Sequence, residues 1–368
     1  MSQDISDNPP ISQEEEQKFL RSMRLSRMIF PILIGVVAVG YLFYYQFDAE
    51  KFREIHWSGT AFIWLGISLA LLIARHFCYS YRLLVLTRGY FSYRKCLELM
   101  VLWEFSSALT PTSKGGPFVM LFVLTKEKLQ AGKTATAVFY TMVLDSGFFV
   151  ISLPLLLLIY GPSMLYPGMN SYQDVGLASG TFFVTFAMML VYWAFMVFFL
   201  IINPKAANAL LQWLARLPIL KRFSEKLIFL GEEFSLAARE MRSQNWSYHV
   251  KVILATIGSW ATKFLMINCI IIALVPSTPL DGTTQVFIYA RLVAMFIILT
   301  FSPTPGGAGL YEIALASFIS DYVPAGVGMV VALIWRGMSY YGYLLLGAVV
   351  VPGWIASRLR KRTADVPA

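Results

Sequence analysis

Nine charged residues lie in or beside long apolar runs: Arg75, Glu98, Glu104, Lys114, Asp145, Lys263, Arg291, Glu312 and Arg336. An ionised group in hydrocarbon costs about 2.5–3.5 kcal/mol even on the most lenient insertion scale, so each needs a partner, water or a function. Glu104, Lys114, Asp145, Glu312 and Arg336 sit on or near two stretches that interrupt helices. The first is Thr110-Pro111-Thr112-Ser113-Lys114-Gly115-Gly116-Pro117; the second is Ser302-Pro303-Thr304-Pro305-Gly306-Gly307-Ala308-Gly309-Leu310-Tyr311-Glu312. Proline removes backbone donors and glycine disfavours the helix, so neither stretch continues one. Lipid cannot satisfy the freed backbone groups, and such a break must be buried in protein or line a wet cavity.

That requirement nominates a cavity built from Glu104, Pro111, Lys114, Gly115, Gly116, Asp145, Pro303, Pro305, Gly306, Gly307, Gly309, Glu312 and Arg336. Helix ends with Lys114 and Arg336 suit a phosphate. Glu104, Asp145 and Glu312 suit a coupling proton or a cationic headgroup, with Glu312 at the mouth of the site. Asp145 and Arg336, each a lone charge in the span after its break, are expected to pair or to share one polar ligand. The plain alternative is a neutralised network that fixes helix packing. That alternative, or interfacial exposure, suits Glu98 and Arg291 near segment ends. Snorkelling to the membrane surface suits Arg82 and Arg88, and Arg75 stays open between the readings.

The elements that position these groups follow from composition. The 368 residues are 57% hydrophobic and 14% charged, with a mean hydropathy of +0.63. Soluble domains carry roughly 25% charged residues, so the fold class is an all-α polytopic membrane protein. The net charge of +9 comes from basic segments between apolar runs, which fits membrane orientation better than nucleic acid. Three cysteines and three histidines show no ligand spacing, so no metal or other cofactor is expected.

Full spans are expected at 28–47, from residue 60 through the arginines that follow it, and at 134–160, 177–202, 250–275 and 326–351. The flanks of the two breaks are too short to cross a core of roughly 30 Å. Segments 97–125 and 286–320 therefore read as re-entrant hairpins. Residues 1–27 form an N-terminal tail, 205–249 an amphipathic segment suited to an anionic leaflet, and 352–368 a basic tail.

Lysine and arginine counts place both termini in the cytoplasm and the loops at 161–175 and 276–285, which have neither, outside. The first hairpin then enters from the cytoplasm and the second from outside. Residues 28–160 and 177–351 become two repeats of opposite orientation, an architecture that places binding sites at the midplane.

The stretch from Pro303 to Glu312 matches the pattern P-T-P-G-G-x-G-x-x-E and resembles the membrane domain of the lysyl-phosphatidylglycerol synthases and its stand-alone flippase-like relatives. The similarity extends over roughly 28–355. Pro111 with Gly115-Gly116 resembles the family's first motif, and Asp145 and Arg336 fall where the family carries an acid and an arginine. The chain departs from the family at Pro117 and Met120, where an acid and a basic residue are usual. The resemblance implies movement of a phospholipid or polyprenyl-phosphate lipid between the leaflets of a bacterial-type inner membrane. It does not imply synthesis, because the aminoacyl transfer belongs to a soluble domain and this chain ends seventeen residues after its last span.

Three functions compete. A transporter with membrane-lipid ligands fits the breaks and buried charges best. A membrane partner of a separate lipid- or glycan-modifying transferase is the alternative, and a homodimer is compatible with either. An integral-membrane enzyme is disfavoured by the lack of D-x-D or H-x4-D patterns.

Overall fold

The computed structural model describes residues 57–110, 115–169, 177–302, 304, 306–324 and 326–364. The expected span at 28–47 and the site candidates Pro111, Lys114, Pro303 and Pro305 lie outside the described residues. All regular structure among the described residues is helical. The helices are α1 (Gly59–Leu86), α2 (Tyr93–Leu109), α3 (Gly115–Lys126), α4 (Ala131–Tyr160), α5 (Leu177–Val197), α6 (Pro204–Ala215), α7 (Ser224–Arg242), α8 (Trp246–Leu274), α9 (Gly282–Ile298), α10 (Leu310–Phe318), α11 (Val327–Arg336) and α12 (Gly342–Ala364). Two π-helical turns, Phe198–Ile202 after α5 and Gly337–Tyr341 between α11 and α12, extend their helices without a break.

Local chemistry sets five of these starts. Ser58, Ser92, Asn203, Asn245 and Asp281 each accept a hydrogen bond from a backbone N–H in the first turn of the following helix, which satisfies one of the donors a helix start leaves free. Pro204 occupies the first helical position of α6, where its missing N–H costs nothing.

Five helices among the described residues are long and apolar enough to cross a membrane: Gly59–Leu86, Ala131–Tyr160, Gly180–Ile202, Trp246–Leu274 and Val327–Ile355. By contrast α2 has 17 residues, α3 12, α9 17 and α10 9. At 1.5 Å per residue even the longest of these reaches only about 26 Å, short of the hydrocarbon core.

α2 and α3 fold back on each other so tightly that a Cβ on Gly116 would meet the Ser107 side chain and come within 3.1 Å of the Trp103 carbonyl. α9 and α10 do likewise, and Arg291 Nη1 reaches the Phe318 carbonyl at 3.4 Å.

The packing between these units is reciprocal. α1 and α8 run antiparallel along most of their length. Ser68 Oγ donates to the Met266 carbonyl at 3.1 Å, and Gly258 lets Cys78 in close. The first short pair packs against the C-terminal helix through α2 and α12, and the second packs against α4 through α9. The two pairs also touch directly, where Gly306 N donates to the Thr110 carbonyl at 3.3 Å.

Outside this bundle, α6 and α7 form a hairpin that lies on the start of α4, where a Cβ on Gly132 would sit 2.4 Å from the Glu233 carbonyl oxygen. Trp213 and Leu236 of the hairpin are exposed. The last helix runs through Arg358 and Lys361 to Ala364, so much of the basic tail expected at 352–368 continues a helix.

Candidate functional site

The second break is ordered by its own glycines. Gly306, Gly307 and Gly309 have φ of 56°, 70° and 84°, left-handed values that side-chain-bearing residues adopt only at a cost. A Cβ on Gly306 would lie 2.2 Å from the Tyr340 ring and 2.9 Å from the Ala108 carbonyl oxygen. Both the turn and the contact with the first break therefore require glycine there. The Glu312 carboxylate reaches back to accept from Gly309 N at 2.8 Å, closing the start of α10 as a capping box does.

Helices α1, α2, α4, α5 and α8, with Pro117, Gly306, Tyr311 and residues between Trp335 and Tyr343, line a partly open cavity of about 270 Å³. Its wall has an apolar, aromatic part that includes Phe149, Trp260 and Phe296, and a charged part formed by Arg75, Glu104, Asp145, Lys263 and Arg336. Each carboxylate is matched to an arginine. Arg75 Nη2 donates to Glu104 Oε1 at 2.7 Å, joining α1 to α2. Arg82 Nη1 and Nη2 donate to the two Asp145 oxygens at 2.6 and 3.3 Å, joining α1 to α4. Trp260 Nε1 adds a bond to Asp145 Oδ1 at 3.0 Å, and Arg82 Nη1 also reaches Thr256 Oγ1 at 3.1 Å. Arg336 Nε donates to Glu312 Oε1 at 2.9 Å, and its Nη2 to the Gly306 carbonyl at 3.0 Å. Tyr79 is sandwiched by arginines, with the Arg75 and Arg82 guanidinium carbons each 4.7 Å from its ring centre. Arg336 lies 3.9 Å over the Tyr340 ring.

Lys263 differs from the arginines. It is half-buried near the middle of α8 and lines the cavity. Its ammonium lies 4.7 Å from the Trp260 ring centre and 4.4 Å from that of Phe296.

Several expected arrangements change. Asp145 and Arg336 line the same cavity but do not pair with each other; each has its own partner on a neighbouring helix. Glu312 is not at a mouth: it is 1% exposed and stands behind Arg336, where it orders the turn. Arg82 does not snorkel. It is 3% exposed and turns inward because Asp145 offers a bidentate partner. Arg88 is exposed and ion-paired to Glu240. Arg291 is buried and bonded to Asp321 at 2.6 Å, which matches the neutralised-network reading for that residue. Gly306, Glu104, Asp145 and Arg336 come together at the cavity; Gly307 and Gly309 shape the turn behind it, and Gly115 and Gly116 start α3 against α2. Pro117, the departure from the family pattern, lines the cavity, whereas Met120 is fully buried in the core.

Sequence reasoning assigned no role to Lys263, Trp260, Phe296 or Tyr340. A lysine near the centre of a 29-residue apolar helix, whose other lysine, Lys251, lies near its start, was the available signal for Lys263. The aromatic residues carried none, since aromatic side chains are ordinary in membrane cores and interfaces.

The sequence matches the family model described as the lysylphosphatidylglycerol synthase TM region over residues 28–347. It is also 26% identical over 336 residues to a protein described as "UPF0104 membrane protein" from Archaeoglobus fulgidus, covering 87% of this chain and 94% of that one. No solved structure matches. Spanning helices, two broken segments and a family match over most of the chain agree, and the chain belongs to the family of the lysylphosphatidylglycerol synthase transmembrane region.

Proposed function

We propose that this protein moves a lipid between the two leaflets of a membrane, with the headgroup in the charged part of the cavity and the acyl chains outside it. The observation that carries this reading is the cavity itself. A polar, charged chamber bounded by spanning helices and by two touching helix breaks lets a headgroup cross without meeting hydrocarbon. The reciprocal packing of α1 on α8, α2 on α12 and α9 on α4 supports two repeats of opposite orientation. In that reading the short pairs α2–α3 and α9–α10 are re-entrant hairpins entering from opposite faces. Alternating access would then proceed by one repeat rocking against the other around the fixed site. The protein is read as a transporter rather than an enzyme, in a bacterial-type inner membrane with cytoplasmic termini.

The test is reconstitution of the full chain into liposomes carrying tail-labelled fluorescent phosphatidylglycerol, phosphatidylethanolamine or a polyprenyl phosphate, with leaflet exposure read by dithionite quenching. Exchange faster than in protein-free vesicles for at least one lipid is the expected result. Folded, inserted protein that moves none of them would refute the reading.

A further inference from the structure

We propose that two matched clasps, one at each end of the bundle, hold the two repeats together and open alternately as the repeats move. This deepens the transport reading and rests on it for the rocking of one repeat against the other.

The first clasp closes on Glu127, the residue after α3. Lys95 Nζ, near the start of α2, lies 3.0 Å from Glu127 Oε1, and Trp354 Nε1 of α12 donates to the same oxygen at 2.6 Å. The second clasp closes on Arg291 of α9. Its Nη1 donates to Asp321 Oδ2, just beyond α10, at 2.6 Å, and its Nη2 donates to the Ser163 carbonyl, just beyond α4, at 2.8 Å. Beside it, Tyr166 and Ser317 share a hydrogen bond of 2.7 Å. Both central groups are buried, Glu127 at 9% and Arg291 at 2% exposure. Each clasp thus joins the legs of one short pair by an ion pair. Each also bonds that pair to the segment that ends the other repeat.

The clasps correspond along the sequence. Pro111 and Pro303 of the two breaks are 192 residues apart. Lys95 and Arg291 are 196 apart, Glu127 and Asp321 194, and Ser163 and Trp354 191. All three pairs keep the offset of the breaks to within about one helical turn. The chemistry of the cross-repeat bond differs: Trp354 donates to the acid of the first clasp, whereas the Ser163 carbonyl accepts from the base of the second. Either bond can therefore be removed without touching the other.

Their placement makes them alternate. Glu127 lies four residues before α4 begins and Ser163 three residues after it ends. The 30 residues of α4 put about 45 Å between those points at 1.5 Å per residue. Two bodies that rock about a site between their ends separate at one end as they close at the other. Movement in one direction breaks the bond to Trp354, and movement in the other breaks the bond to Ser163.

The experiment reads exposure of the cavity from each face of the membrane. Ser339 lines the cavity, and Ser339→Cys supplies the labelling site in a full chain whose Cys78, Cys96 and Cys269 are replaced by alanine. Sealed right-side-out and inverted membrane vesicles are treated with a membrane-impermeant maleimide. Lys128→Cys, at an exposed position beside the first clasp, marks the face on which that clasp lies. Trp354→Phe keeps a ring but loses the donor. It should shift the ratio of labelling rates about ten- to a hundredfold toward the marked face, the range for losing one hydrogen bond to a charged group. Arg291→Lys keeps the charge but loses the fork that spans Asp321 and Ser163, and should shift the ratio toward the opposite face. The double variant should fall between the two. Glu127→Gln and Asp321→Asn remove the acids of the clasps and should shift the ratio in the same two directions, which keeps the comparison decisive if Trp354→Phe or Arg291→Lys does not fold.

Shifts of both clasps toward the same face, or shifts below about threefold for both, overturn the proposal. Opposite shifts in protein that exchanges no lipid between leaflets would refute lipid transport but leave the clasps standing. Leaflet exchange with an unshifted ratio would refute the clasps alone.

Discussion

The Arg82–Asp145 pair allows a quantitative test of how the buried charges are matched. With charge centres roughly 4 Å apart, an effective dielectric of about 20 gives an attraction on the order of 4 kcal/mol. Removing one partner of a buried pair costs about 3–5 kcal/mol, because the other is left uncompensated. The Asp145 side chain is 28% exposed, on the cavity side, so Asp145→Asn belongs at the lower end, about 3 kcal/mol. Arg82→Met removes the bonds to Asp145 and Thr256 and should cost somewhat more. The double variant Asp145→Asn/Arg82→Met leaves no unpaired charge at this point, and the coupling should be about 3 kcal/mol. A parallel cycle with Arg336→Met in place of Arg82→Met should be nearly additive, within about 0.5 kcal/mol, since Asp145 and Arg336 have separate partners. Unfolding free energies would come from reversible SDS titration in mixed micelles, followed by tryptophan fluorescence. Strong coupling of Asp145 to Arg336 with additivity toward Arg82 would refute the arrangement described here.

Other perturbations probe the contacts between the two halves. Gly306→Ala places a methyl group against Tyr340 and the Ala108 carbonyl at a left-handed φ. The strain and overpacking together should cost about 2–5 kcal/mol, read in the same SDS titration; a loss below 1 kcal/mol would mean the breaks are not in contact. A Cβ on Gly258 would lie 4.0 Å from that of Cys78, within the range a disulfide needs. Gly258→Cys should therefore cross-link α1 to α8 on mild oxidation, lowering the alkylatable thiols from four to two, as counted by mass spectrometry of the denatured protein. If transport requires the two repeats to move against each other, the oxidised form should lose leaflet exchange and regain it on reduction; exchange that persists with the bond intact would exclude sliding at this interface.

Much of the fold was legible because its strongest determinants are local. Proline and glycine clusters at 110–117 and 302–309 break helices in any context, and flank length alone separated the short helices from the long ones. Which charges meet was not legible, because it depends on the faces that packed helices present. Arg75 and Arg82 are seven residues apart on α1, and so on one face, but nothing local says whether that face looks at lipid or at α2 and α4. Arg82 also stands only four residues before the end of α1 at Leu86, where a snorkelling arginine is ordinary. Glu312 was readable as important from its motif. Its work in closing the α10 start and holding Arg336 emerged only with the left-handed turn at Gly306–Gly309 on the page. Lys263 stood among the charges of the apolar runs without a role of its own, because what surrounds it depends on how the helices pack.

The π-helical turn at Gly337–Tyr341 adds a constraint on how this chain can vary. Such a turn holds one residue more than the α-helix it interrupts. Deleting any one of these five residues would restore a regular helix and rotate all that follows by about 100° relative to α11. Tyr343, which lines the cavity, Gly347, which admits the Phe105 ring, and Trp354, which bonds to Glu127, would all turn away together. Length in this segment is therefore far less free to change than residue identity, and relatives that keep both contacts of the last helix must keep the extra residue.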